Sequence, residues 1–268
     1  MQSIYLSPEQ SQLLANQAAT LDIEQPPAPL DFPAELLAVK EQVLEEIDRS
    51  GLTVVENFTG DPDQALFYFM SLVGRPTHDE EFGPMIMDIK PVRHKVTTKT
   101  TSSYSWNEFS YHTDLSHFDN PPDFIVVYCI QQDARGEGES IISDLRVSSS
   151  LLSSATIDEL QKPNFTFRAP PHYKGGRIVT QPVLSRNEEG RLTLKVRFDR
   201  MTGKTEEAEQ ALYELYQALD KNKFSFLLNP NALYIADNRR VVHGRKAFTA
   251  TFDENDRHLK RIFGMRAA

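Results

Sequence analysis

Across its 268 residues the chain has a single cysteine, Cys129. It therefore cannot close an internal disulfide, which suits a reducing compartment. Its place inside the apolar run from Phe124 to Ile130 makes it core filler. No uninterrupted apolar stretch reaches the roughly 18 residues of a membrane-spanning helix, so no membrane partner is expected. Basic blocks are missing too: 29 Lys and Arg against 38 Asp and Glu leave a net charge of -9. Nothing here would track a phosphate backbone, and nucleic acid is excluded as a partner class. Gly136-Glu137-Gly138 lacks the third glycine and the following helix of a dinucleotide loop. The segment Met1 to Glu9 has neither the basic flank nor the apolar centre of a secretory signal, and the expectation is a cytoplasmic protein.

What is present divides by texture. Ser7-Pro8-Glu9-Gln10 supplies an N-cap, a proline at the first helical position and a glutamine at the third, predicting a helix through about Ala18. Leu36, Val39, Val43, Leu44 and Ile47 recur on one stripe, so a second helix is expected from Ala34 to Arg49, stopped by Gly51. A strand follows at Leu52 to Phe58, and Asp61-Pro62-Asp63-Gln64 opens a third helix that ends at Gly74. From about Met85 short β-rich runs take over, among them Met85 to Ile89, Phe124 to Ile130, Asn164 to Arg168, Ile178 to Val183, Leu192 to Phe198, Ala232 to Ala236, Lys246 to Ala250 and His258 to Met265. Helices are expected at Thr156 to Gln161, opened by a Thr156/Glu159 capping box, and at Thr205 to Leu219. These runs predict one α+β domain over residues 1–268, with a helical part at 1–50 and a β-sandwich core with flanking helices from about 51 onward.

The stretch Tyr111-His112-Thr113-Asp114 places an imidazole and a carboxylate two residues apart. In an extended segment both project to one face and could reach one metal ion. A third ligand must come from a distant strand. Of the seven histidines, His78, His94 and His172 sit among charged or loop-like neighbours, while His243 follows the apolar strand Leu233 to Ala236. Taken alone, His243 reads first as a histidine at the core edge. If the run from Asp256 to Phe263 is a strand, Arg257, Leu259, Arg261 and Phe263 share a face. Two arginines there are either an edge strand's solvated side or two anion-binding positions, since guanidinium fits a carboxylate's fork.

Together, His112-x-Asp114, His243 and Arg257 fourteen residues beyond it resemble the iron(II)- and 2-oxoglutarate-dependent dioxygenases of the taurine dioxygenase superfamily. The C-terminal segment is most similar to the clavaminate synthase-like branch, which includes hydroxylases of free arginine, asparagine and lysine. The resemblance spans roughly residues 50 to 268 and implies a double-stranded β-helix, or jelly roll. It implies that His112, Asp114 and His243 bind Fe(II), with 2-oxoglutarate and O2 as co-substrates, and that Arg257 holds the distal carboxylate of 2-oxoglutarate. Ser140 matches a hydroxyl residue that assists there. Arg261 matches an arginine that binds a substrate carboxylate, and Asp199 an acidic residue that faces a substrate's amine or guanidinium. Some members of the branch carry Glu where this chain has Asp114, and related halogenases carry a small residue; a carboxylate implies hydroxylation.

The expected function is hydroxylation of an unactivated C–H bond in a small free amino acid or amino-acid-like carboxylate, with release of succinate and CO2. Trp106 and Asn107, leading into the metal motif, are candidates for the pocket mouth, although aromatics before a strand also serve as core. The alternatives are a dioxygenase acting on a sulfonate or other small organic acid, and a non-catalytic jelly-roll binding module.

Overall fold

The computed structural model describes residues 2–23, 30–78, 83–93, 102–170 and 177–267. Its first third is a helical layer laid on a sheet. After β1 (Ser3–Tyr5), α1 (Pro8–Ala18) opens on the expected capping box, with Ser7 and Gln10 bonding reciprocally. Next come α2 (Ala34–Ser50), β2 (Leu52–Glu56) and α3 (Pro62–Val73). Gly51 ends α2 in the left-handed region, φ 80°, as the stop signal requires. Asp61 caps α3 through Asp63 N and Gln64 N.

The chain continues through β3 (Arg75–Thr77), β4 (Met87–Ile89), β5 (Phe109–His112), β6 (Phe124–Gln131) and β7 (Ser140–Asp144). Two short helices, α4 (Leu145–Ser148) and α5 (Ser154–Leu160), lead to β8 (Phe165–Arg168), β9 (Ile178–Gln181), β10 (Leu184–Arg186), β11 (Leu192–Leu194) and β12 (Met201–Gly203). The remainder is α6 (Glu206–Lys221), β13 (Phe224–Phe226), β14 (Leu233–Asp237), β15 (Val241–Arg245) and β16 (His258–Met265).

Two sheets matter for function. The larger runs β1-β2-β14-β6-β16-β3, with β4 also on β16; the smaller runs β13-β7-β15-β5. Period-two alternation divides the large sheet's side chains. Phe124, Val126 and Tyr128 of β6, Leu233 and Ile235 of β14 and Ile262 of β16 face α1–α3 in one apolar core. Their neighbours Ile125, Val127, Cys129, Tyr234, Ala236 and Leu259 face the small sheet and meet Ile142 and Val241. A third core, centred on Leu215 and Leu219 of α6 with Phe165 and Phe167, covers the other side of the small sheet.

Three expectations change. Lys246 to Ala250 forms no strand; the ladder is β15, just before it, where Val241 to Arg245 are all buried while Lys246 and Ala247 are exposed. The expected box at Thr156/Glu159 is not the cap of α5, because Ser153 accepts from Thr156 N, and Glu159 instead holds Lys162 and Asn164. Finally, β16 lies between β6 and the β3/β4 pair, so its arginine face is interior and not a solvated edge. His94 and His172 lie outside the described residues, and His78 is exposed.

Candidate metal centre

The small sheet brings the three expected ligands together. In the β5–β15 pairing His243 stands opposite His112, with ring centroids 4.1 Å apart. Asp114 reaches them differently from the strand-face argument. The strand ends at His112; Thr113 crosses to Val196 through its backbone and hydroxyl, and Leu115 adopts a left-handed φ of 55°. A turn, not alternation, aims the carboxylate.

Asp114 Oδ1 lies 3.9 Å from His112 Nε2, and Oδ2 lies 3.4 Å from His243 Nε2. One ligand atom from each residue falls within 4.8 Å of the others, and all three side chains are buried. Asp114 Oδ2 accepts no hydrogen bond among the described residues. A buried carboxylate oxygen left unsatisfied is costly, so the site fits a cation that this oxygen and both imidazoles would share. Two histidines and a carboxylate are the donor set of open non-heme Fe(II) sites.

The surroundings prepare that donor set. His112 Nδ1 is 3.0 Å from Ser110 O, which leaves Nε2 as the free lone pair. Phe109 stacks on the His112 ring at 3.9 Å. Burial, and next the neighbouring His243, hold His112 well below its ordinary pKa, so it is neutral and ligand-competent at neutral pH. Burial pushes the Asp114 carboxyl up, but Arg261 and the imidazoles outweigh it and keep the group ionised. Arg261 Nη1 sits 3.1 Å from Asp114 Oδ1, and Nη2 contacts Met87 Sδ at 3.2 Å.

A cavity between the sheets opens beside the triad, walled by Phe109, Ile125, Val127, Tyr234 and Leu259, with Ser103, Ser140, Arg245, Arg257 and Arg261 among its polar groups. Arg257 is 8 % exposed and has no ion-pair partner among the described residues. Burial pushes it down to about 10, so it remains cationic at neutral pH. It also borders a solvent-open cleft lined by Lys90, Arg93, Gln131 and His258. Arg245 is a residue that sequence reasoning passed over. It donates to Asn107 O, lies over the Phe248 ring, and is pushed down to about 9 by burial and by Arg257. The signal was present, since a residue two beyond His243 in a strand shares its face.

The remaining candidates lie elsewhere. Trp106 packs edge-on against Phe252 at 5.0 Å, and Asn107 is exposed; neither lines the cavity. Asp199 sits in the turn before β12, its carboxylate taken by Arg197 at 3.0 Å and Arg200 at 3.5 Å. No described helix is long and apolar enough to cross a membrane.

Comparison with known proteins agrees with this geometry. Residues 15–263 match the sequence profile described as "Taurine catabolism dioxygenase TauD, TfdA family". An L-asparagine oxygenase of Streptomyces coelicolor is 30 % identical over 186 residues, covering 69 % of this chain and 55 % of that protein. An L-lysine 3-hydroxylase of Catenulispora acidiphila is 26 % identical over 194 residues, covering 69 % and 52 % respectively. The match thus spans about half the length of these curated relatives. Among solved structures, an asparagine oxygenase in complex with Fe(II), 2S,3S-3-hydroxyasparagine and succinate superposes with a TM-score of 0.86 at 23 % identity, covering 99 % of this chain and 94 % of that one. The non-heme iron oxygenase OrfP, in complex with Fe, succinate and (3S)-hydroxy-L-Arg, gives 0.80 at 19 % identity, with coverage of 99 % and 94 %. The mixed helix-and-sheet fold is the fold of these oxygenases.

Proposed function

The chain belongs to the taurine catabolism dioxygenase TauD, TfdA family, and from that premise we propose that it is an Fe(II)- and 2-oxoglutarate-dependent dioxygenase hydroxylating a C–H bond of a small free amino acid. One observation carries the reading. A buried His-Asp-His cluster with an unsatisfied carboxylate oxygen shares its cavity with Arg257, a buried cation that forms no ion pair among the described residues. A metal and a carboxylate co-substrate answer both needs at once. We read the two facing sheets as a double-stranded β-helix and residues 1–268 as one catalytic domain. The reducing environment suited to the lone buried Cys129 supports a cytoplasmic location.

His112, Asp114 and His243 would hold the iron. Fe(II) bound there supplies the centre at which O2 is activated at the expense of 2-oxoglutarate, yielding succinate and CO2. The chain's own residues do the rest. Arg257 offers the distal carboxylate of 2-oxoglutarate a charge-assisted fork, with Ser140 beside it in the cavity wall. Ile125, Val127 and Leu259 exclude water from the reacting carbon. Arg261 keeps Asp114 ionised and oriented, and stands where a substrate carboxylate would meet a cation. The relatives named for asparagine and lysine chemistry support an amino-acid substrate.

The test is anaerobic loading with Fe(II), then 2-oxoglutarate, O2 and a panel of amino acids, with succinate as readout. Succinate formation dependent on one amino acid, and its loss in His243→Ala, is the expected result. Turnover only with a sulfonate or aryloxy acid would overturn the substrate class. No loss of iron binding in His243→Ala would favour a non-catalytic binding module.

A further inference from the structure

The ligand Asp114 sits on a turn outside the strand ladder, flanked by bonds from Thr113 to Val196 and from Gln181 to Ser116 O. Strand pairing stops at His112, and Leu115, a bulky residue, is in the left-handed region at φ 55°. A bulky side chain there is strained and persists only where neighbouring structure imposes it. At the ligand itself, the backbone is held by one side chain from a distant part of the chain. Asn238 is fully buried, at 0 % exposure, in the turn between β14 and β15. Its Oδ1 accepts from Asp114 N at 2.8 Å. Its Nδ2 donates to Asp114 O at 3.0 Å and to Pro122 O at 2.9 Å.

Both backbone groups of the ligand are thus bound by a single amide. A primary amide is the side-chain group that offers an acceptor and two donors in one plane; a carboxylate of the same shape has no donor. Asn238 is itself fixed. Its own N–H donates to Asp123 O at 2.8 Å, and two residues on, Arg240 binds Asp144 at 2.8 Å and the carbonyls of Ile47 at 3.2 Å and Asp48 at 2.7 Å. Five residues beyond Asn238 the same segment delivers His243.

We propose that Asn238 is a positioning residue that sets the distance between the Asp114 and His243 ligands, tying the strained ligand turn to the segment that carries the second histidine. The inference rests on the metal-centre reading above. Asn238 touches no reacting atom; it acts through the Asp114 backbone, so its effect belongs in metal affinity before it appears in turnover.

The experiment is a titration of the metal-free protein with Co(II), followed by visible absorption, alongside thermal melting. Asn238→Asp keeps the shape and loses the donors, and it should weaken Co(II) binding by about 10-fold or more, the effect usual for groups that orient metal ligands. Val43→Ala, a cavity-forming change in the helix-side core, serves as comparator. It should lower the melting temperature yet leave Co(II) affinity within about twofold, as distant sites do. If Asn238→Asp binds Co(II) within about twofold of wild type, or loses no more affinity than Val43→Ala, the proposal is wrong. Should Asn238→Asp fail to fold, the milder Asn238→Ser is read in the same way, and wild-type affinity in that variant overturns the proposal. A wild-type protein that binds neither Co(II) nor Fe(II) would instead overturn the metal-centre reading.

Discussion

Replacing Gly244 with alanine should loosen the metal centre without touching any ligand. Gly244 lies between His243 and Arg245 in β15, where the ladder to β5 carries a register shift. A Cβ built on it would stand 2.7 Å from Phe109 O, and 3.6 Å from Ser110 C and Tyr111 N. The first distance is about 0.7 Å short of the 3.4 Å at which ordinary contact begins, and the obstructing atom is backbone. It cannot swing aside as a side chain would, so β5 must move away from β15. That strand ends in His112, directly opposite His243. Two effects oppose each other. Alanine in a strand interior gains ~0.5–1 kcal/mol over glycine, whereas forcing an extra carbon into a packed interface costs ~1–3 kcal/mol. The second wins. A ligand set must be held to within ~0.5 Å to work well, so the displaced His112 transmits the strain to the metal. If all of it is relieved by loosening the centre, affinity falls by about 5- to 150-fold. The assay is Co(II) or Fe(II) titration of Gly244→Ala with melting of the metal-free protein. Metal affinity within about twofold and an unchanged melting temperature would refute the reasoning, because the close approach at Phe109 O would then be absorbed elsewhere.

Arg257→Met should separate stability from function. Removing a buried cation that has no ion-pair partner among the described residues should raise the melting temperature. Loss of its bond to 2-oxoglutarate should cost ~2 kcal/mol or more, raising the KM for that co-substrate at least ~30-fold in a succinate assay. An unchanged KM would remove Arg257 from the co-substrate site. Arg240→Met orphans the α2 C-terminal carbonyls and Asp144, and it should cost ~3–5 kcal/mol in urea denaturation; a loss below ~1 kcal/mol would mean that the network contributes no more than a surface pair. Burial pushes the Asp88 carboxyl up, but His258 and Lys260 pull it further down, below its ordinary value. A depressed carboxylate stabilises the fold above its unfolded pKa of about 3.9, and that stability is lost as pH falls through the lower folded value. The melting-temperature gap between wild type and Asp88→Asn should therefore be present at neutral pH and close in acid; a gap that is constant with pH would contradict the assignment.

What the sequence determined by itself was local. Ser7 with Gln10, Asp61 with Pro62, and Gly51 after a helical stripe announced three helix ends correctly, because capping is decided by residues within one turn of each other. The three residues of the cluster were also legible, through the spacing of His112 and Asp114 and the resemblance that drew in His243 and Arg257. Tertiary structure decided how they meet. The expected route from His112 to Asp114 was strand alternation, whereas the carboxylate arrives on a left-handed turn held by Asn238, 124 positions away in the chain. Ladder pairing put the strand that carries His243 at Val241–Arg245 and left Lys246 to Ala250 unpaired, since both runs have strand-like composition and only the first finds a register against β5 and β7. Asp199, expected to face a substrate's amine or guanidinium, meets the guanidinium groups of Arg197 and Arg200, because a charge finds its partner through the path of the backbone. Local hydrogen-bond chemistry is written in neighbouring residues; the distance between two ligands depends on how separate strands and turns are clamped, and that is a property of the folded chain alone.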